Sequence, residues 1–310
     1  MLKAYSVFKD LDKKACEILI KAGIQLDIST SEERPNKEEL SRSLNDYDIL
    51  IIGVKEKLTE DMLAKVKKKK IIATLSIGVD HIDKSFFESD LIKVINCQTS
   101  NVISVAEHIF ALILSLKKRI IEANEISIKG GTKRDLSARS NDISNSIIGI
   151  IGAGKISREV IKIAKVFSMK IYCNTLNPEK HQDLLKEGVE FTDLDNLLTI
   201  SDIITVNIPL NEKNKKLISK DKIVLMKKTA TFINTSRAEI VDMNELIRYA
   251  DENTTFNVGL DIDAENYKEI LNVKRDNVIV TLHIAGVTKE AIKRMDVELA
   301  NNIRKYLKES

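Results

Sequence analysis

Ser146-Ile147-Ile148-Gly149-Ile150-Ile151-Gly152-Ala153-Gly154-Lys155-Ile156-Ser157 is the stretch on which the fold turns. The near-continuous apolar run from Ser146 to Ile151 reads as a strand buried on both faces, and the residues after it, as far as Phe167, read as a helix. Between them Gly152 permits a tight turn, and Gly154 lets backbone come close to a ligand. The N-terminus of the helix then offers unpaired N–H groups to whatever lies over the turn, an arrangement that favours phosphate. Strand, glycine turn and helix in this order form the fingerprint of a dinucleotide-binding βα unit, with Gly152, Ala153, Gly154, Lys155 and Ile156 at the pyrophosphate; the plainer alternative is an ordinary βα turn. Ser157 stands where a third glycine or alanine is usual, at a small loss of closeness between helix and strand.

Outward from this turn, short apolar runs alternate with longer helical patterns, the rhythm of parallel βαβ units. Upstream, strands are expected at Leu2 to Val7, Gln25 to Ile28, Ile49 to Ile52, Ile71 to Thr74 and Val94 to Asn96, with helical segments such as Leu11 to Ala22 and Glu60 to Lys67 between them. That makes a complete small open-sheet domain. Val102 to Asn124 reads as one long helix, capped by Ser100 or Asn101 and so apolar that it must be widely buried. Lys129 to Asn145 is polar and without periodicity, hence a loop. Downstream strands are expected at Lys170 to Cys173, Ile203 to Asn207, Thr231 to Asn234, Phe256 to Leu260 and Val278 to Thr281, before a last helix from Lys289 to Leu307.

Composition narrows the partners. The 310 residues carry 49 basic and 46 acidic side chains, so no global field recommends nucleic acid or an anionic membrane. Lys67-Lys68-Lys69-Lys70 is the one dense basic run and reads as a solvated helix end. Cys16, Cys97 and Cys173 lie far apart, without metal-ligand spacing; no metal is expected, and reduced thiols suit a cytoplasmic protein. No stretch has the length of a membrane span.

An acidic residue about 20 positions beyond a glycine turn ordinarily grips the adenosine ribose. Here the corresponding strand ends in Asn174 and Thr175. A carboxylate would repel an added 2′-phosphate, so its absence predicts tolerance of NADP beside NAD. Lys180 is the nearest cation downstream.

Six segments, the glycine turn among them, carry a resemblance. They are Ser76-Ile77-Gly78-Val79-Asp80-His81-Ile82-Asp83, Ser104-Val105-Ala106-Glu107-His108, the Gly149–Ile156 turn, Asn234-Thr235-Ser236-Arg237 with Val241-Asp242, Gly259-Leu260-Asp261, and Thr281-Leu282-His283-Ile284-Ala285-Gly286. In order and spacing the chain resembles, nearly end to end, the D-isomer-specific 2-hydroxyacid dehydrogenases. The resemblance implies an α/β chain of two doubly wound parallel-sheet domains: a Rossmann-type dinucleotide-binding domain, 101–286, inserted into a flavodoxin-like substrate domain, 1–100 and 287–310. It further implies NAD or NADP as cofactor, a homodimer, and hydride transfer with a small 2-hydroxy or 2-keto acid, as a 2-ketoacid reductase.

Residue by residue, the resemblance puts the catalytic arginine at Arg237, whose guanidinium fork can hold a carboxylate and the reacting carbonyl together. It puts the acid/base histidine at His283 and makes His81 and His108 structural, leaving His181 on the surface. The glutamate that normally raises the histidine's pKa falls on Asn266, followed by Tyr267 in place of the usual proline. A neutral amide cannot stabilise imidazolium, so either a more acidic optimum for keto-acid reduction or weak turnover is expected, unless Glu265 substitutes. That departure also leaves open a nucleotide-sensing binding protein of the same fold. An unrelated Rossmann reductase or methyltransferase is disfavoured by the joint Arg237 and His283 motifs. Asp261 and Thr235, with Asn207, Pro209 and Asn214, are implied on the cofactor, as are Asn174 and Thr175. Ile77 and Gly78 are implied at the substrate carboxylate, and Asn101 and Lys55 at the rest of the substrate, although Lys55 equally reads as a solvated charge.

Overall fold

A computed structural model describes residues 1–263 and 265–309, and of Asn266 the backbone alone. The chain divides into two compact units, one of Met1–Asn101 with Thr288–Ser310 and one of Val102–Val287.

The first unit holds β1 (Leu2–Ser6), β2 (Ile24–Ile28), β3 (Ile49–Ile52), β4 (Lys70–Thr74) and β5 (Ile92–Asn96) in a parallel sheet of order β2-β1-β3-β4-β5. The central strands β3 and β4 are buried throughout, as strands covered by helices on both faces must be. The helix Lys289–Glu309 returns to this unit and packs Met295, Leu299, Ala300 and Ile303 into one of its cores.

The second unit holds β6 (Ile147–Ile151), β7 (Lys170–Asn174), β8 (Val189–Phe191), β9 (Ile203–Val206), β10 (Thr231–Asn234), β11 (Asn257–Asp261) and β12 (Val278–Thr281). Their order is β12-β11-β10-β9-β6-β7-β8, all parallel. Strand order reverses between β6 and β9, so a crevice opens beyond the carboxyl ends of those two strands, where doubly wound sheets bind ligands.

Two expectations need correction, and one strand was not foreseen. The stretch read as one helix from Val102 to Asn124 is two, Val102–Lys117 and Ile120–Ile128, because Arg119 takes a left-handed φ of 55°. Its guanidinium is held there by Glu122 and by Ser137, and the Lys117 carbonyl accepts from Asn141 N at 2.8 Å instead of continuing the helix. Wide burial holds for the first of these helices, whereas the second buries no residue. The lysine run is also not uniformly solvated. Lys67, Lys68 and Lys69 are exposed, but Lys70 opens β4, is buried, and donates to the carbonyls of Asn45 (2.7 Å) and Tyr47 (2.6 Å). Finally, β8 has no counterpart in the sequence reading.

Candidate active site

Most of the residues expected at the site in the second unit sit at or just past the carboxyl end of a strand. Gly152 follows β6 with φ +103°; a Cβ there would lie 2.8 Å from the Asn207 carbonyl and 2.7 Å from Ile208, so only glycine makes this turn. Gly154 differs: a Cβ on it would meet nothing within 4 Å. Gly154 is also the N-cap of the twelve-residue helix Lys155–Val166 and has no side-chain cap. The helix's first N–H groups thus face open space across a glycine, which is the cradle a pyrophosphate needs. Ala153 is buried and Ile156 packs on the core, while Lys155 is exposed. Ser157 is fully buried and its hydroxyl accepts from Asn207 Nδ2 at 3.3 Å, so the residue in the third glycine position ties helix to β9 across the crevice. Asn207 is fixed from its other side by the Thr205 hydroxyl at 3.0 Å.

Arg237 lies three residues past β10, in a turn built by a residue to which the sequence reading gave no role. Asn234 is fully buried; its Oδ1 accepts from Ser236 N at 2.9 Å and its Nδ2 donates to the Arg237 carbonyl at 2.9 Å. The Ser236 hydroxyl adds a 3.1 Å bond to the Val206 carbonyl of β9. The backbone that aims Arg237 is therefore held at both ends, with Thr235 beside it, half-buried.

His283 follows β12 with a φ of +56°, a left-handed conformation that costs a non-glycine residue on the order of 1–2 kcal/mol. Asp261, at the end of the neighbouring β11, restrains it. The fully buried carboxylate accepts from the Thr281 hydroxyl (2.5 Å), from Ile284 N (2.9 Å) and from Ala285 N (2.8 Å). His108 Nε2 meets the Thr281 hydroxyl at 3.0 Å and lies 3.7 Å from Asp261. Asp261 thus clamps the chain on both sides of His283, at Thr281 before it and at Ile284 and Ala285 after it, a positioning role that the motif alone did not disclose. Arg237 and His283 lie just past the carboxyl ends of β10 and β12, strands two apart in one sheet and so roughly 10 Å from each other at the usual strand spacing.

Other expected residues fall as follows. Asn174 ends β7 and donates from Nδ2 to the Thr192 carbonyl at 3.0 Å, with Thr175 half-buried next to it. Asn214 turns into its own loop: Nδ2 donates to the Pro209 carbonyl (2.7 Å) and Oδ1 accepts from Asn211 N (2.8 Å). Glu265 is turned to solvent, its side chain 76% exposed, with Lys268 as its partner at 3.8 Å. The side chain of Asn266 lies outside the described residues.

In the first unit, the loop after β4 has its carbonyls turned inward. The Ile77 carbonyl accepts from Asn96 Nδ2 (2.8 Å) and the Gly78 carbonyl from the Ser76 hydroxyl (2.6 Å). Lys55 is exposed in the loop after β3. That loop is folded by Glu56, unforeseen from sequence, whose buried carboxylate accepts from Gly53 N at 2.8 Å and lies 3.4 Å from Arg34. Arg34 in turn stacks over Phe8 at 4.2 Å. The Asn101 Oδ1 is buried without a hydrogen-bond partner.

Parallel order, reversal point, glycine turn and uncapped helix together define a Rossmann-type dinucleotide-binding protein. More narrowly, the chain belongs to the D-isomer-specific 2-hydroxyacid dehydrogenase family: the model of that family's NAD-binding domain matches residues 110–285. Hydroxypyruvate reductase of Thermotoga maritima is 32% identical over 303 residues, covering 96% of each chain. Among solved structures, an acyclic imino acid reductase in complex with NADPH and D-Arg aligns with a TM-score of 0.88 at 28% identity, over 99% of this chain and 98% of its own. D-lactate dehydrogenase from Aquifex aeolicus, complexed with NAD and lactic acid, aligns with a TM-score of 0.81 at 28% identity, over 99% and 96%.

Proposed function

We propose that this NAD(P)-dependent 2-hydroxyacid dehydrogenase works chiefly as a reductase of small 2-keto acids, with Arg237 and His283 as its catalytic pair. The observation that carries this reading is their common placement at the edge that bears the glycine turn, each on a loop fixed by a buried polar side chain, Asn234 for one and Asp261 for the other. When bound, the dinucleotide supplies the hydride. Arg237 binds the substrate carboxylate and the C2 carbonyl oxygen through its two-pronged guanidinium, which orients C2 and draws electron density onto the oxygen. His283 donates its proton to that oxygen as C2 is reduced, and takes the hydroxyl proton back in the oxidation direction. In the first unit the N–H groups of Ile77 and Gly78 are candidates for the carboxylate, and Lys55 and Asn101 for the substrate's other end.

NADP is proposed beside NAD because β7 ends without a carboxylate, with Asn174 tied to Thr192 and Lys180 exposed. A homodimer is supported by Ile120–Ile128, which buries nothing and exposes Ile120, Ile121 and Ile128. Cytoplasmic residence accords with three free cysteines; among the described residues no helix is long and apolar enough to cross a membrane.

Mixing the protein with NADH or NADPH and, in turn, glyoxylate, hydroxypyruvate, pyruvate and bulkier 2-keto acids tests the reading by loss of nicotinamide absorbance. Turnover with at least one acid, and dissociation constants of the two cofactors within about tenfold of each other, are expected. Cofactor binding without turnover on any acid would leave a nucleotide sensor in its place.

A further inference from the structure

The break at Arg119 opens a cavity of about 410 Å³ at the amino edge of the seven-stranded sheet. Its floor is made by residues that lead into four strands: Ser146 before β6, Asp202 before β9, Thr229 before β10 and Thr255 before β11. The glycine turn, Arg237 and His283 lie at the other ends of those strands or of their neighbours, roughly 15 Å away along strands of this length. The cavity is therefore not part of the dinucleotide site. The 138–142 loop covers one side, fastened to the end of the Val102–Lys117 helix by the Asn141–Lys117 backbone bond.

Charge around this cavity does not balance. Arg119 is paired with Glu122, and Asp142 with Lys118. Asp202 has one oxygen on Lys227 at 2.8 Å and the other on Ile147 N at 2.9 Å. That leaves Lys117 and Arg139. Lys117 is 8% exposed, and among the described residues its ammonium makes a single bond, of 3.3 Å, to the Thr229 carbonyl. Arg139 is exposed on the cavity wall and has no partner among the described residues. Asp202 thus faces two cations, Lys227 in direct contact and Lys117 through its charge, while Arg139 on the wall has no carboxylate of its own among the described residues. An ammonium carries three donors, and a desolvated one left with a single long bond is an unfavourable arrangement that an anion would relieve.

We propose that this cavity binds a small oxyanion, the phosphate or carboxylate group of a small molecule, with Lys117 and Arg139 as its counter-ions. The lining suits such a group through the charge of two cations, within a volume that accommodates a small metabolite; the Ser146 and Thr255 hydroxyls donate to the Ile143 and Lys228 carbonyls and leave the anion to the cations. Lys117 supplies the fixed, dry contact and Arg139 the adaptable one at the rim.

The experiment uses protein saturated with NADH, so that the glycine turn is occupied, in chloride buffer at constant ionic strength. Inorganic phosphate and malonate are titrated separately by calorimetry. Apart from any binding at Arg237, which Arg237→Lys identifies, one site is expected, preferring phosphate if the ligand is a phosphate ester and malonate if it is a carboxylate. Lys117→Met should weaken it roughly tenfold and Arg139→Gln roughly threefold, as loss of a charge-assisted contact does. Arg139 is exposed, so Arg139→Gln decides the matter even if Lys117→Met fails to fold. Absence of binding by both anions, or an affinity unchanged in Arg139→Gln, overturns the proposal.

Discussion

Asp261 Oδ2 accepts the backbone N–H of Ala285 at 2.8 Å, across the gap between the ends of β11 and β12, while Oδ1 holds Ile284 N. Both bonds fall just past His283, whose left-handed backbone they oppose to relaxation. In Asp261→Asn an amide nitrogen would face a backbone donor, leaving a buried N–H unpaired at about 1–3 kcal/mol. A lower Tm and a loss of kcat are expected from thermal unfolding and steady-state kinetics.

Asn234 does for Arg237 what Asp261 does for His283. Asn234→Ala removes the bonds to Ser236 N and to the Arg237 carbonyl, so the guanidinium loses its aim without being deleted. We expect kcat/KM for a keto acid to fall by about tenfold or more, as misplaced catalytic groups do. Fluorescence titration with NADH should find its affinity within about twofold of wild type.

The two glycines of the turn should separate folding from binding. Gly152→Ala places a Cβ 2.8 Å from the Asn207 carbonyl at a φ of +103° and is expected to cost stability even without cofactor. Gly154→Val points into open space. Its apo melting temperature should stay close to wild type, while NADH affinity falls at least about tenfold because the side chain fills the pyrophosphate's place. Melting curves with and without NADH check both halves.

Asp296 gives a pH signature. Burial in the Lys289–Glu309 helix, with Asp12 repelling it more weakly, pushes its carboxyl from 3.8 up to about 6, although Asp12 N donates to it at 2.9 Å. The folded state therefore holds this proton more tightly than the unfolded chain does. Its contribution to stability is full below about pH 4 and is lost as pH rises through about 6. Asp296→Asn keeps an acceptor for Asp12 N without the charge. Urea unfolding should find the variant more stable than wild type by on the order of 1–2 kcal/mol at pH 8, and no more stable near pH 4.

Strands were legible in the sequence because two-sided burial writes them as apolar runs, and the glycine turn because its backbone demands specific residues. β8 was not: it is three residues long, with Glu190 at its centre. The break at Arg119 escaped notice because Ile120 and Ile121 keep the pattern apolar, while its cause, pairing with Ser137 eighteen residues away, has no local trace. Lys70 was read with its charged neighbours, yet two carbonyls more than twenty residues upstream receive it. Arg237 and His283 could be named from their motifs, but Asn234 and Asp261 owe their positioning roles to partners that only the folded turns bring near. Glu265, offered as a replacement for the missing glutamate, points to solvent.

The most direct measurement is kcat/KM for hydroxypyruvate reduction at saturating dinucleotide, in wild type, Arg237→Lys and His283→Gln. A general acid and a forked carboxylate ligand each supply about 10²-fold or more, so both variants should lose at least that factor while binding NADH as wild type does. Turnover by either variant within a few-fold of wild type would contradict the account.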